Sequence, residues 1–199
     1  AERLGVSRVS VREAIKSLSS LGILEAQRGN GIFVREFSFD ALLDTLPYGL
    51  LNDLEKLAEI LEIRCVLETG LIGKAMGVLT PERLGKLREV LRQMEEKAKT
   101  DSGIAEADRA FHQQLFFDLE NKTVLKLLDI FWLAFTKAAT QIQISTPDPM
   151  KTYHDHAAIV EAVAEGEVEK AREMLALHYA DITERLQLAQ ARLRTQGPS

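Results

Sequence analysis

From about residue 53 onward, apolar residues recur every three or four positions, which is the spacing of one-sided helices and not of strands. Leu54, Leu57, Ala58, Leu61, Cys65, Leu67 and Leu71 trace one long amphipathic helix. Thr80-Pro81 reads as an N-cap followed by proline in the first turn, opening a second helix through Leu84, Leu87, Val90, Leu91 and Met94. Helical segments over residues 104–119 and 123–144 follow, with Asn121 as the cap between them. Pro147 and Pro149 break the chain, and two more helices near 150–164 and 167–194 are divided at Gly166. Strand-like sequence is scarce here, so the pattern predicts an antiparallel all-helical bundle with short connections.

The front of the chain has a different grammar. Glu2–Leu4 ends in Gly5, and Ser7 offers its hydroxyl as cap of a helix whose apolar stripe is Val11, Ala14, Ile15, Leu18 and Leu21. Gly22 stops it. Two short β-type runs, 24–27 and 32–34, flank Arg28-Gly29-Asn30-Gly31, which is a hairpin signal. Helix, turn, helix and two-stranded hairpin is the order of a winged helix-turn-helix. Between the two parts, Phe37, Phe39, Leu42, Leu43 and Leu46 predict a short packed helix in the connection. The expected division is therefore residues 1–36, a linker over 37–52 and a helical domain over 53–195, in a mostly α protein.

Composition narrows the class. The 199 residues are 46% hydrophobic and 28% charged, and no run approaches the roughly 18 uncharged apolar residues of a membrane span. The single cysteine, Cys65, excludes an internal disulfide and a cysteine-based zinc cluster, and suits a reducing compartment. No basic segment followed by an apolar one opens the chain, so a cytoplasmic address is expected. The net charge of −5 is unevenly spread: residues 1–37 hold six Lys/Arg against four acids, and the remainder 19 against 26. Capacity for phosphate binding sits at the front.

In a helix-turn-helix the second helix enters the major groove, its N-terminal residues facing base edges and phosphates. Ser7, Arg8, Ser10 and Arg12 occupy that position, and Arg8 and Arg12 share a face away from the apolar stripe. Arginine forks match guanine edges or phosphates, and Arg28-Gly29 at the hairpin tip joins a cation to backbone that a sugar-phosphate chain can approach. The bland alternative is a solvated helix with Arg12 paired to a nearby glutamate. The stretch ERLGVSRVSVREAIKSLSSLGILEAQRGNGIFV resembles the second half of the winged helix-turn-helix of the GntR family of bacterial transcription regulators. That resemblance implies that Arg8, Arg12 and Gly29, with the neighbouring small polar residues, touch operator DNA. The family's first helix, the start of its second and one further arginine are expected ahead of Ala1, so the module as given is expected to be incomplete.

Four histidines occur, and three fall on apolar stripes. Asp108 and His112 are i, i+4 on one helix beside Phe111, Leu115 and Phe116. His156 lines up with Ile159, Val160 and Val163, whereas His154 is turned about 200° away. His178 interrupts the stripe of Ala171, Met174, Leu175 and Ile182. Each alone reads as a core histidine bonded to backbone or water. Four inward donors on three helices are costly together unless a cation satisfies them, and oxygen with imidazole suits Zn²⁺, Ni²⁺ or Mn²⁺.

Residues from about 53 to 190 resemble the FCD ligand domain of the FadR-like subfamily. The matching pieces are Glu62/Arg64/Glu68, Asp108/His112, the segment from His156 to Gly166, and Ala171/Met174/His178. The resemblance implies a divalent metal on Asp108, His112, His156 and His178 with a small carboxylate beside it. Arg64 either binds that carboxylate bidentately or forms an i, i+4 ion pair with Glu68. The expected function is a homodimeric transcription regulator, a repressor in the commoner case, that binds operator DNA and answers to a small organic acid. The alternative is a metal-dependent enzyme using the Asp/His site, although no residue stands out as its general base.

Overall fold

The computed structural model describes residues 1–35, 54–100, 103–142 and 148–196; the short helix expected within 37–52 lies outside them. The chain divides into two units, residues 1–46 and 47–199.

In the first unit, a 3-10 turn (Glu2–Leu4) ends at Gly5, whose φ of 62° is left-handed. Helix α1 (Arg8–Ser20) begins where the Ser7 hydroxyl accepts from the Ser10 amide at 3.0 Å. Gly22, at φ 70°, turns the chain into β1 (Leu24–Gln27), which pairs antiparallel with β2 (Gly31–Val34). The register sets Leu24 opposite Val34 and Gln27 opposite Gly31. The Arg35 amide donates to Ile23 O and the Ile23 amide to Leu18 O, tying ribbon to helix. The expected apolar stripe is only partly covered: Val11 and Ile15 are half-buried, while Leu18 is 37% and Leu21 48% exposed. One 13-residue helix and a two-stranded ribbon have too few faces to enclose a core.

The second unit is helical throughout its described residues: α2 (Leu54–Val78), α3 (Pro81–Lys99), α4 (Ala105–Phe116), α5 (Lys122–Ile142), α6 (Pro149–Glu165) and α7 (Val168–Gln196). The Thr80 hydroxyl caps α3 by accepting from the Arg83 amide, and Asn121 accepts from the Val124 amide in the first turn of α5. Asp148 caps α6, accepting from the amides of Met150 and Lys151, a cap hidden in the sequence by the flanking prolines. Gly166, left-handed at φ 76°, closes α6. The helices pack in a closed ring, α2 on α7, α7 on α6, α6 on α3, α3 on α4, α4 on α5 and α5 on α2. Ile72, Leu87, Met94, Phe111, Leu115, Ile159 and Leu175 fill its interior. Five polar residues are buried with them: Arg64, Glu68, His112, His156 and His178. No described helix is long and apolar enough to cross a membrane.

Candidate functional site

Those five residues form one cluster with Asp108. The i, i+4 register of α4 delivers Asp108 and His112, α6 delivers His156, and α7 delivers His178. One donor atom from each lies within 4.8 Å of every other. His154, one residue pair earlier on α6, is exposed, as the helical period requires.

The protonation of the imidazoles can be assigned from their partners. His156 Nδ1 is 2.7 Å from the Thr152 carbonyl, which only accepts, so Nδ1 donates and the lone pair is on Nε2. His112 Nδ1 donates in the same way to Glu68 Oε2 at 2.6 Å. Asp108 Oδ1 stands 3.1 Å from His156 Nε2, 3.7 Å from His112 Nε2 and 4.0 Å from His178 Nε2. None of these is a formed hydrogen bond: His112 Nε2, His156 Nε2 and both nitrogens of His178 are buried without a partner. Three orphaned imidazole nitrogens, one from each ring, facing one carboxylate oxygen form a donor set that fits a divalent cation, since buried polar groups are otherwise nearly always paired. Edge contacts from Phe111, whose centroid is 4.5 Å from that of His156, wall off the cluster.

Electrostatics agree with the geometry. Burial alone would raise the Asp108 carboxyl, but His112 and His156 hold it well below the usual carboxylate range. His112 is raised despite its burial, chiefly by Glu68. Burial pushes His178 well down, helped by the neighbouring imidazoles of His156 and His112, so that ring is neutral and able to ligate.

Glu68 has no exposure. Its Oε1 accepts from Arg64 Nε at 2.8 Å and from the Tyr179 hydroxyl at 2.6 Å, while Oε2 accepts from His112. Burial opposes its ionisation, yet His112, Arg64 and these hydrogen bonds hold the carboxyl at about 2. Of the two roles open to Arg64, the structure forms the ion pair to Glu68, and the guanidinium makes no other hydrogen bond among the described residues. It also lines a small cavity with Leu57, Ile60, Leu61, Phe131 and Phe135.

In the first unit, the expected DNA-facing residues are all exposed. Arg8, Arg12 and Arg28 are exposed and make no ion pair with a described residue; Glu13 pairs instead with Lys16, at 2.8 Å. Ser7 and Ser10 hydroxyls lie 2.9 Å apart, so both take part in starting α1. Gly29 sits at the ribbon tip with φ 84° and nothing near its missing side chain.

A helix with a two-stranded ribbon, followed in the chain by a helical bundle with a buried donor cluster, is the arrangement of a DNA-binding regulator with an attached helical domain. Residues 1–34 match the family described as bacterial regulatory proteins, gntR family, and residues 59–181 match the FCD domain. The chain belongs to the GntR family of transcription regulators, in the branch that carries an FCD domain. It is 27% identical over 197 residues to the HTH-type transcriptional regulator LutR of Bacillus subtilis (strain 168), spanning 92% of this chain and 85% of that protein. The Uxu operon transcriptional regulator of Escherichia coli (strain K12) is 28% identical, over 94% of this chain and 75% of its own length. The putative L-lactate dehydrogenase operon regulatory protein of the same strain is 27% identical, over 89% and 71%. Among solved structures, Streptococcus agalactiae GntR superposes with a TM-score of 0.63 at 22% identity, covering 92% of this chain and 85% of that one. E. coli McbR/YncC does so with 0.60 at 21%, covering 94% and 84%; these two speak for the fold. The protein is thus a DNA-binding transcription regulator, and the enzymatic alternative has no support in its family.

Proposed function

We propose that this regulator senses a small organic acid through a divalent transition metal held by Asp108, His112, His156 and His178 in the FCD domain. The observation that carries the reading is the set of three imidazoles whose unpartnered donor nitrogens, one from each ring, lie with an Asp108 carboxylate oxygen within 4.8 Å of one another. One carboxylate and three neutral imidazoles suit Zn²⁺, Ni²⁺ or Mn²⁺. A metal of that kind would polarise a carboxylate placed in its open positions. Asp108 supplies the anionic donor and, with a fifth of its side chain accessible, is the least buried of the four. Arg64, at the edge of the same cluster, has guanidinium N–H groups left to receive the far end of such an acid.

A relative bears a lactate-operon title, so a small hydroxy acid is the first effector class to try. Operator contact falls to Ser7, Arg8, Ser10, Arg12, Arg28 and Gly29. A homodimer is required because one helix-turn-helix reads too few base pairs and half-sites recur one turn apart. Effector and operator affinities are then reciprocally coupled, and release of repression is the sign we assign.

The test is metal analysis of the purified protein, followed by operator mobility shifts with and without chelator and hydroxy acid. Stoichiometric metal and an acid-dependent change in operator affinity, both lost in His178→Ala, are expected. Operator binding indifferent to metal and to every small acid would refute the sensing half of the proposal.

A further inference from the structure

Helix α2 donates none of the four candidate ligands, yet it places a fully buried carboxylate against one of them. A charge out of water is costly unless its oxygens are satisfied, and Glu68 is satisfied by three donors from three helices. Arg64 lies one turn earlier on α2, His112 is on α4, and Tyr179 on α7 follows His178 directly in the chain. We infer that Glu68 is a positioning residue for the metal centre, acting through His112 and itself held by Arg64 and Tyr179; the inference rests on the metal reading above.

The chemistry is that of a carboxylate behind a metal-bound imidazole. An ionised carboxylate can only accept, so it fixes the proton on His112 Nδ1 and leaves the Nε2 lone pair on the side of Asp108. It also fixes the ring plane and makes Nε2 a stronger donor toward a cation. The three histidines are graded in this respect. His112 is backed by a carboxylate and His156 by the Thr152 carbonyl, while neither nitrogen of His178 has a partner. Of these supports only Glu68 is a side chain, so it alone can be altered by substitution without moving the ligand itself. Arg64 thereby gains a role distinct from binding an acid: it neutralises Glu68 and sets its rotamer.

Glu68→Gln keeps the shape but offers one accepting oxygen to three donors. If that oxygen stays with Arg64 and Tyr179, the amide N–H₂ faces His112 Nδ1. The ring must then accept there and carry its proton on Nε2, where the metal would bind.

Two measurements on the full chain test this. Long-range nitrogen–proton NMR of the metal-free, unsubstituted protein reports which His112 nitrogen bears the proton. Nδ1–H is expected, and Nε2–H would overturn the inference whether or not any variant folds. Zinc affinity, by competition with a chromophoric chelator, is expected to fall about 10–100-fold in Glu68→Gln, with His112 switching tautomer. Tyr179→Phe, which leaves the His112 contact in place, should keep affinity within a few-fold. Unchanged zinc affinity and tautomer in a folded Glu68→Gln would also overturn it. Failure of the underlying metal reading looks different: the unsubstituted protein then binds no zinc, while the tautomer measurement still stands.

Discussion

Replacing His178 with leucine should make the metal-free protein more stable while abolishing its response to metal. Both ring nitrogens of His178 are buried and unpartnered, and the ring is neutral. An unsatisfied buried polar group costs about 1–3 kcal/mol, so a side chain of similar volume with no polar atoms relieves up to two such penalties. Part of that gain is offset by imperfect fit beside Asp108 and His156, whose ring centroid is 4.4 Å from that of His178. A net stabilisation of about 2 kcal/mol corresponds, at this chain length, to a rise in Tm of about 4–8 °C. In the unsubstituted protein, metal at a thousandfold excess over Kd should contribute about 4 kcal/mol, which the variant forgoes. The order of the two melting temperatures therefore inverts between chelator and saturating zinc, and differential scanning calorimetry of both proteins in both conditions reads it directly. Should the variant melt at or below the unsubstituted protein in chelator, the nitrogens are not a liability and the orphaned-donor reasoning fails. A retained zinc-dependent shift in the variant would instead remove His178 from the ligand set.

Asp118, after α4, accepts from the Thr80 amide and hydroxyl at 3.2 Å and from Arg83 Nε at 2.9 Å, joining that turn to the start of α3. Burial opposes its ionisation, but these partners lower its pKa, so its stabilisation is present above the unfolded value and is lost as pH falls through the folded one. Urea unfolding should show Asp118→Asn less stable by about 1–3 kcal/mol from pH 5 to 8, with the gap closing below about pH 4. Gly166→Ala forces a left-handed alanine at φ 76° and should cost about 1 kcal/mol, measured the same way, with no effect on metal uptake. Arg12→Ala should weaken operator binding about tenfold or more in mobility shifts and leave the melting of the bundle within a degree or two.

The α2 stripe shows what the sequence could and could not reveal. Leu57, Leu61, Arg64, Glu68, Ile72 and Ala75 follow the three-and-four spacing of a core seam, and all six are buried. Two charged residues on such a seam could have marked a buried polar centre, and their spacing of four left the ion pair as one of two roles open to Arg64. What spacing within one helix cannot give is the third partner: His112 lies 44 positions from Glu68, and Tyr179 lies 111 away. Those contacts are set by how the ring closes, with α2 against α7 and α4 near α2. By contrast, Asp108, His112, His156 and His178 were readable because each interrupts an apolar face at a position the helical period directs inward, and only their mutual distance had to come from the fold.

That distance explains how a small acid could act on a bundle at all. Without metal, the cluster's fixed positive charge is Arg64, held against Glu68, while the His112 Nδ1 proton rests on the same carboxylate. A divalent ion taken up between the four donors would meet the Nε2 lone pairs and draw those atoms, 3.1–4.0 Å from Asp108 Oδ1, toward one centre. Three ligand-bearing helices, α4, α6 and α7, then share one tie, and Glu68 extends it to α2. Under the proposed function, an acid bound to that ion would change the balance among these four helices and not the position of one side chain. A packed ring responds to such a change by shifting between discrete arrangements, because its close-packed interior resists gradual deformation. On the proposed reading, the buried centre is suited to regulation for the reason it is costly to fold: its unpartnered imidazole nitrogens would be satisfied only with an ion in place.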